Sequence, residues 1–169
     1  MRKRSVFFLT AFLILNANFL RAQLKVSQKD LKTLIGDWQG SLTYLDYSSG
    51  KPYTMPANIR VKASTNAKDL IISNIYPKEP KANSVDTMKI SDNGTMINRE
   101  AVTSISNLKN GSRQITTEYK GKDGNDDKSA TIRHTYTFDK KNYSIRKDVQ
   151  FEGEKTWLKR HEYSYAKQK

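Results

Sequence analysis

Short segments separated by turn residues fill residues 38–166, and this pattern constrains the fold more than any other feature of the sequence. Most segments are about five to ten residues long and alternate apolar with polar side chains, which is the period of a β-strand with one buried face. Asn93-Gly94 and Asn110-Gly111 are hairpin signals, because both residue types tolerate the positive φ angles of tight turns. Since nearly every connection is short enough for a hairpin, the pattern predicts an all-β fold, an antiparallel up-and-down meander of about 8–10 strands.

A long meander loses its exposed edges by closing on itself, so the sequence favours a barrel. A Greek-key sandwich would need a long crossover, and only residues 77–84 are a candidate for one. Two of the segments, 95–99 and 102–108, also fit one bent strand. The predicted strands are 38–47, 57–63, 70–76, 85–91, 95–99, 102–108, 112–120, 130–138, 143–151 and 157–166.

One short helix is predicted before the first strand. Ser27 and Asp30 have the spacing of a capping box, and Leu31 and Leu34 follow at helical spacing. Gly36 then ends the helix, because glycine readily adopts the left-handed conformation found after a last helical turn.

The N-terminus has the features of a secretory signal. Residues 2–4 are basic, residues 6–15 are apolar, and Ala22 is a small residue suited to cleavage. The run is too short and too interrupted for a spanning helix, and no second segment approaches membrane length. We therefore expect a signal peptide at 1–22, a domain at 23–169 without a transmembrane segment, and bacterial export to the periplasm or the medium.

Without residues 1–22, 26 basic residues stand against 17 acidic ones. The charges are interleaved, as in Arg146-Lys147-Asp148, and no nucleic-acid-binding motif is visible. A solvated basic surface is therefore expected, with no specific nucleic-acid partner. Cysteine is absent, which excludes disulfides and thiolate metal sites.

Gly36 and Trp38 stand where the short helix leads into the first strand. This Gly-x-Trp motif, with the helix and the meander, resembles the calycin superfamily, which includes lipocalins, avidins and fatty-acid-binding proteins. The resemblance implies that Trp38 closes one end of the barrel and that a basic residue of the last strand, Arg160 or its neighbour Lys159, packs over its ring. Gly40 extends the likeness to nitrobindin-like haem-binding barrels, but their further glycines are missing. We expect no cofactor, and haem remains an alternative.

Alternation within the last three strands places five polar-tipped side chains on their inward faces. Because consecutive strands of a meander are neighbours, these side chains are predicted to form one patch on an apolar wall. Lys147 would be an unpaired ammonium, which suits a small apolar or amphipathic ligand with an anionic, lipid-like head. The predicted ligand-binding residues are His134, Tyr136, Lys147, His161 and Tyr163.

Enzyme readings have little support in the sequence. No nucleophile elbow, P-loop or dinucleotide fingerprint is present, and no pair of inward carboxylates is apparent. With two histidines and no cysteine, a structural zinc site is not expected. The favoured reading is a non-catalytic, lipocalin-like binding barrel. The alternatives are a filled structural or protein-interaction barrel and a haem-binding barrel, and the oligomeric state is left open.

Overall fold

A computed structural model describes residues 24–46, 49–66 and 68–168, so the expected signal peptide at 1–22 lies outside the described residues. The described chain has one short helix, α1, and eleven strands. Two 3₁₀ turns, Lys32–Leu34 and Pro80–Ala82, complete the regular structure. The bounds are α1 Gln28–Leu31, β1 Gly36–Asp46, β2 Lys51–Pro56, β3 Asn58–Ala63, β4 Leu70–Ile75, β5 Ser84–Met88, β6 Met96–Ile97, β7 Glu100–Asn107, β8 Arg113–Asp123, β9 Lys128–Phe138, β10 Asn142–Phe151 and β11 Leu158–Lys167.

The strands form a nearly closed antiparallel barrel of ten strands, which confirms the predicted fold class. Neighbours along the chain are neighbours in the sheet from β3 to β5 and from β6 to β11, and β1 pairs with both β3 and β11. Between β5 and β6 the strand pairing is reduced to one isolated β-bridge, which joins Ile90 to Ile97. The topology is therefore an up-and-down meander without a crossover.

β2 was not predicted from the sequence, because the first predicted strand ends at residue 47 and the second begins at residue 57. β2 pairs with the second half of β1, while β3 pairs with the first half. Pro52 and Pro56 are tolerated because β2 has β1 on one side and no strand on the other. The predicted strand 57–63 is thus the second part of a longer segment that breaks at Ala57.

The turns explain a second difference from the sequence prediction. Asn98 and Arg99 have φ angles of 51° and 68°, so they form a two-residue turn between β6 and β7. Segments 95–99 and 102–108 therefore belong to two strands and not to one bent strand. Turns are present at Asn93-Gly94 and Asn110-Gly111, but only the glycines have positive φ, so the predicted tight turn with positive φ at both residues is not formed.

The short helix lies against the closed end of the barrel. Asp30 Oδ2 accepts hydrogen bonds from the backbone N–H of Ser27 (2.8 Å) and from its hydroxyl (2.7 Å), which fixes the first turn. Leu31 and Leu34 are each 1% exposed and join the core. The predicted helix thus covers the end of the barrel.

Trp38 is the centre of this end. Its ring is 1% exposed, its Nε1 donates to the carbonyl of Leu34 at 2.7 Å, and its centroid lies 5.8 Å from that of Tyr143. The surrounding core is made of side chains from the helix and most strands. The closed end is therefore a filled core.

The cation over Trp38 is Lys167, not Arg160 or Lys159 as the family resemblance implied. Lys167 Nζ lies 4.9 Å from the ring centroid and donates to the carbonyl of Thr33 at 2.9 Å. Arg160 lies near the start of β11, at the opposite end of the strand from Lys167, where His161 pairs with Lys147 but Lys159 pairs with Asp148. This β-bulge resets the alternation.

Two glycines beside Trp38 have packing roles. Gly36 has a φ angle of 134°, and an added Cβ would lie 2.9 Å from Lys167 Cε. A Cβ on Gly40 would lie 2.0 Å from the carbonyl oxygen of Ser164, so β1 and β11 can approach only because this residue is glycine. The close packing of β1 against β11 therefore accounts for the glycine at position 40.

We expect Trp38→Ala to lower the free energy of unfolding by about 3–5 kcal/mol, because truncating a buried aromatic leaves a cavity. Trp157 provides a matched control. It was expected on the inner face, but the bulge places it under Arg133, whose Cζ lies 3.6 Å from its ring centroid on the outside of the barrel. Trp157→Ala should cost about 1 kcal/mol. Denaturant unfolding measures both, and equal losses would contradict the role of Trp38.

Candidate functional site

The five residues predicted to bind a ligand all lie on the inner faces of β9, β10 and β11. In the sheet register Lys147 is opposite His134 on one side and opposite His161 on the other. Tyr136 and Tyr163 occupy the next inward positions and both face Ile145. The predicted adjacency is therefore present in the structure.

A cavity of about 440 Å³ opens at the end of the barrel opposite the helix. We call this region the mouth. Three of the five predicted residues line it, namely Lys147, His161 and Tyr163, whereas His134 and Tyr136 do not. The lining residues are Leu42, Tyr44, Leu45, Asp123, Gly124, Asn125, Lys147, Arg160, His161 and Tyr163.

Two cations share one carboxylate at the mouth. Lys147 Nζ donates to Asp123 Oδ1 at 2.7 Å, and Arg160 Nε donates to Asp123 Oδ2 at 2.5 Å. The side chains of Lys147, Arg160 and Asp123 are 20%, 9% and 11% exposed. Burial opposes ionisation of Asp123, but the hydrogen bonds and charges of Lys147 and Arg160 outweigh it and lower the pKa of this carboxyl.

The expectation that Lys147 is an unpaired ammonium was wrong, because Lys147 forms an ion pair with Asp123. Asp123 was missed because Gly121 and the polar residues after it indicated a loop, whereas β8 continues to Asp123. Arg160 was missed as a mouth residue because strict alternation places it on the outer face. The bulge in β11 turns it toward Asp123, and its Cζ lies 5.4 Å from the ring centroid of Phe151.

His134 belongs to a separate polar cluster inside the barrel. Its Nδ1 lies 2.9 Å from Glu100 Oε2, which also accepts a hydrogen bond from the Thr117 hydroxyl at 2.5 Å. Tyr136 is 5% exposed, and burial raises the pKa of its phenol well above the ordinary value. The sequence offered no sign of Glu100, which lies just after the unpredicted turn.

His161 is held in the neutral form. Burial, with the positive charge of Lys147 and the proximity of His134, lowers its pKa from 6.5 to about 4, although Asp123 acts in the opposite direction. Its ring packs edge-on to Tyr163 at 5.5 Å, and the Tyr163 hydroxyl lies 3.1 Å from that of Tyr76. His161 is therefore an uncharged polar group in the wall of the mouth at neutral pH.

No protein-family model and no curated protein matches the chain. Among solved structures, the fold is similar to that of Rv2717c from M. tuberculosis, with a TM-score of 0.49 and 12% identity over 83% of this chain and 96% of that chain. It is also similar to a protein of unknown function of the DUF3598 family from Nostoc punctiforme, with a TM-score of 0.41 and 10% identity over 82% of this chain and 49% of that one. These likenesses assign no family.

At the level of fold, the chain is a calycin-like barrel, on the basis of its own helix, its closed end and its meander. Among the described residues, no helix has the length and apolar character needed to cross a membrane. Within the same residues, no group of three or more His, Cys, Asp or Glu side chains is placed to hold a metal ion.

The lowered pKa of His161 predicts a loss of stability in acid. The unfolded chain, with a pKa of 6.5, binds more protons than the folded chain, with a pKa of about 4, so stability falls as the pH drops through this window. We expect a loss of about 2 kcal/mol, after allowance for solvent that still reaches the ring. Denaturant unfolding at neutral pH and near pH 4.5 measures it.

His161→Gln should remove most of this acid sensitivity, while His134→Gln should retain it. If the parent and His161→Gln lose the same stability in acid, the ring of His161 is not buried as described.

Proposed function

We propose that the chain is an exported, non-catalytic barrel that binds a small amphipathic molecule with an anionic head at its mouth. The observation that carries the proposal is the sharing of Asp123 by Lys147 and Arg160. Export rests on the sequence of residues 1–22 alone.

The charges of the mouth favour an anion. Its lining residues include two cations, one carboxylate and a histidine that is neutral at pH 7, so one positive charge exceeds the negative charge. Lys147 and Arg160 are largely removed from water, where charge-assisted hydrogen bonds are stronger than in bulk solvent. A ligand carboxylate, sulfonate or phosphate would balance the excess through charge-assisted hydrogen bonds.

The remaining wall suits an apolar portion of the ligand. Leu42, Tyr44, Leu45 and Tyr163 lie beside the charged group. A volume of about 440 Å³ is within the range of sites for small molecules, which are mostly apolar with a few polar groups. The closed end is filled by the core around Trp38, so the ligand would occupy only the upper part of the barrel.

A binding role fits the polar groups better than a catalytic one. Lys147, Asp123 and Arg160 are engaged with one another, and His161 has a pKa too low for a general base at neutral pH. The proposal includes no cofactor. A native mass spectrum of the purified protein would reveal a bound haem or lipid, and a haem would favour the alternative reading.

The sharing of Asp123 predicts opposite effects for two substitutions. Lys147→Met should weaken binding of a fluorescent fatty acid about tenfold, because it removes a charged donor. Asp123→Asn should strengthen binding severalfold, because it removes the negative charge that competes with the ligand's anionic head. Fluorescence titration measures the two dissociation constants, with near-ultraviolet circular dichroism to verify the fold.

Two controls isolate the charge of the mouth. Lys155→Met makes the same chemical change at an exposed position in the turn after β10 and should leave affinity unchanged. The methyl ester of the probe should bind equally to all variants. If the parent protein binds no such probe, or Lys147→Met binds it as tightly, the filled structural or protein-interaction barrel replaces this proposal.

A further inference from the structure

Of the two sets of turns at the ends of the barrel, only the set at the closed end carries a net positive charge. We call the turns and helix at this end the basal surface, which comprises residues 24–35, 64–66, 68–69, 91–95, 108–112, 139–141 and 167–168. These residues include eight lysines and four carboxylates. The turns at the other end, 49–50, 76–83, 98–99, 124–127 and 152–157, include four cations and five carboxylates. The two sets of turns therefore differ in charge, with an excess of four positive charges at the closed end and of one negative charge at the mouth.

Contacts between these segments show that they form one surface. The backbone N–H of Val26 donates to the carbonyl of Gly94 at 2.8 Å, and Lys167 bonds both Thr33 and the carbonyl of Lys141. Lys68 pairs with Asp92 across two turns at 2.7 Å. The segments that carry these lysines therefore lie together at one end of the molecule.

Six lysines of the basal surface are exposed and take no part in an ion pair within the described part of the chain. The acidic groups of the surface are already engaged, since Asp30 pairs with Arg113 and Asp139 accepts hydrogen bonds from the turn after β9. The excess charge thus faces solvent. The six lysines are Lys25, Lys29, Lys32, Lys109, Lys140 and Lys141.

From this arrangement we infer that the basal surface docks on anionic lipid bilayers. All eight cations of its segments are lysines, its segments contain no aromatic side chain, and the arginine beside them, Arg113, is paired with Asp30. Nucleic-acid sites rely on the arginine fork and on aromatic stacking, whereas a fluid lipid surface needs only charge. Leu24, which is 38% exposed beside Lys25, adds an apolar side chain that can enter the headgroup region.

Docking by this surface would leave the mouth facing away from the bilayer. The inference is independent of the proposed ligand, because it uses none of the mouth residues. Each lysine near an anionic membrane strengthens binding about fivefold, and salt weakens the attraction.

The test is partition of the full chain onto vesicles, measured by flotation. We expect stronger binding to vesicles of phosphatidylcholine mixed with phosphatidylglycerol than to phosphatidylcholine alone, and loss of the difference in high salt. Combined Lys29→Gln, Lys32→Gln and Lys140→Gln should weaken binding to the mixed vesicles on the order of a hundredfold.

The matched control makes the same change at the mouth end, with Lys78→Gln, Lys81→Gln and Lys155→Gln. It removes the same charge from exposed positions and should bind within about twofold of the parent. Equal partition of the parent onto both kinds of vesicle, or equal losses in the two triple variants, would overturn the inference. Tighter binding to a duplex oligonucleotide with the same lysine dependence would replace lipid by nucleic acid.

Discussion

The packing of Trp38 connects the three parts of the closed end on which the barrel depends. Its indole nitrogen bonds the carbonyl of Leu34 at the end of the helical segment, its ring meets Tyr143 from β10, and Lys167 from β11 lies over it. β1 and β11 are the first and last strands, so their pairing closes the ring. A side chain that packs at this seam stabilises closure and fills the end at the same time. The geometry of the mouth depends on that closure, because the walls of the mouth are the upper halves of the same strands.

Periodicity was sufficient to find the fold and the inner faces, because both follow from the geometry of a single strand. His134, Lys147 and His161 were identified as inward and adjacent on this basis, and the register bears out their positions. Features that interrupt periodicity were not found. The bulge in β11 moved Arg160 to the mouth and Trp157 to the outside, and nothing in the local residue types marks such an insertion.

The two acidic residues near the site, Asp123 and Glu100, were also not predicted from the sequence. Asp123 follows a glycine and precedes further polar turn residues, so its local signals favour a loop, yet pairing with β9 extends β8 through it. Glu100 follows a turn whose two residues, Asn98 and Arg99, include no glycine. In each case tertiary pairing overrides local preference. The sequence therefore indicated where Lys147 lies, but not the carboxylate that pairs with it or the second cation, Arg160, that shares this carboxylate.

The two ends of the barrel differ in what their charges can do. At the mouth a small excess of positive charge is largely withdrawn from water, so it acts over hydrogen-bonding distance and can discriminate between ligand heads. At the basal surface a larger excess lies on exposed lysines, where salt screens it and geometry is loose, so it suits adhesion to an extended anionic surface. If both proposals hold, a single domain separates ligand selectivity at one end from membrane attachment at the other. The separation follows from the meander itself, which gathers alternate turns at opposite ends and lets each set of turns carry a different charge.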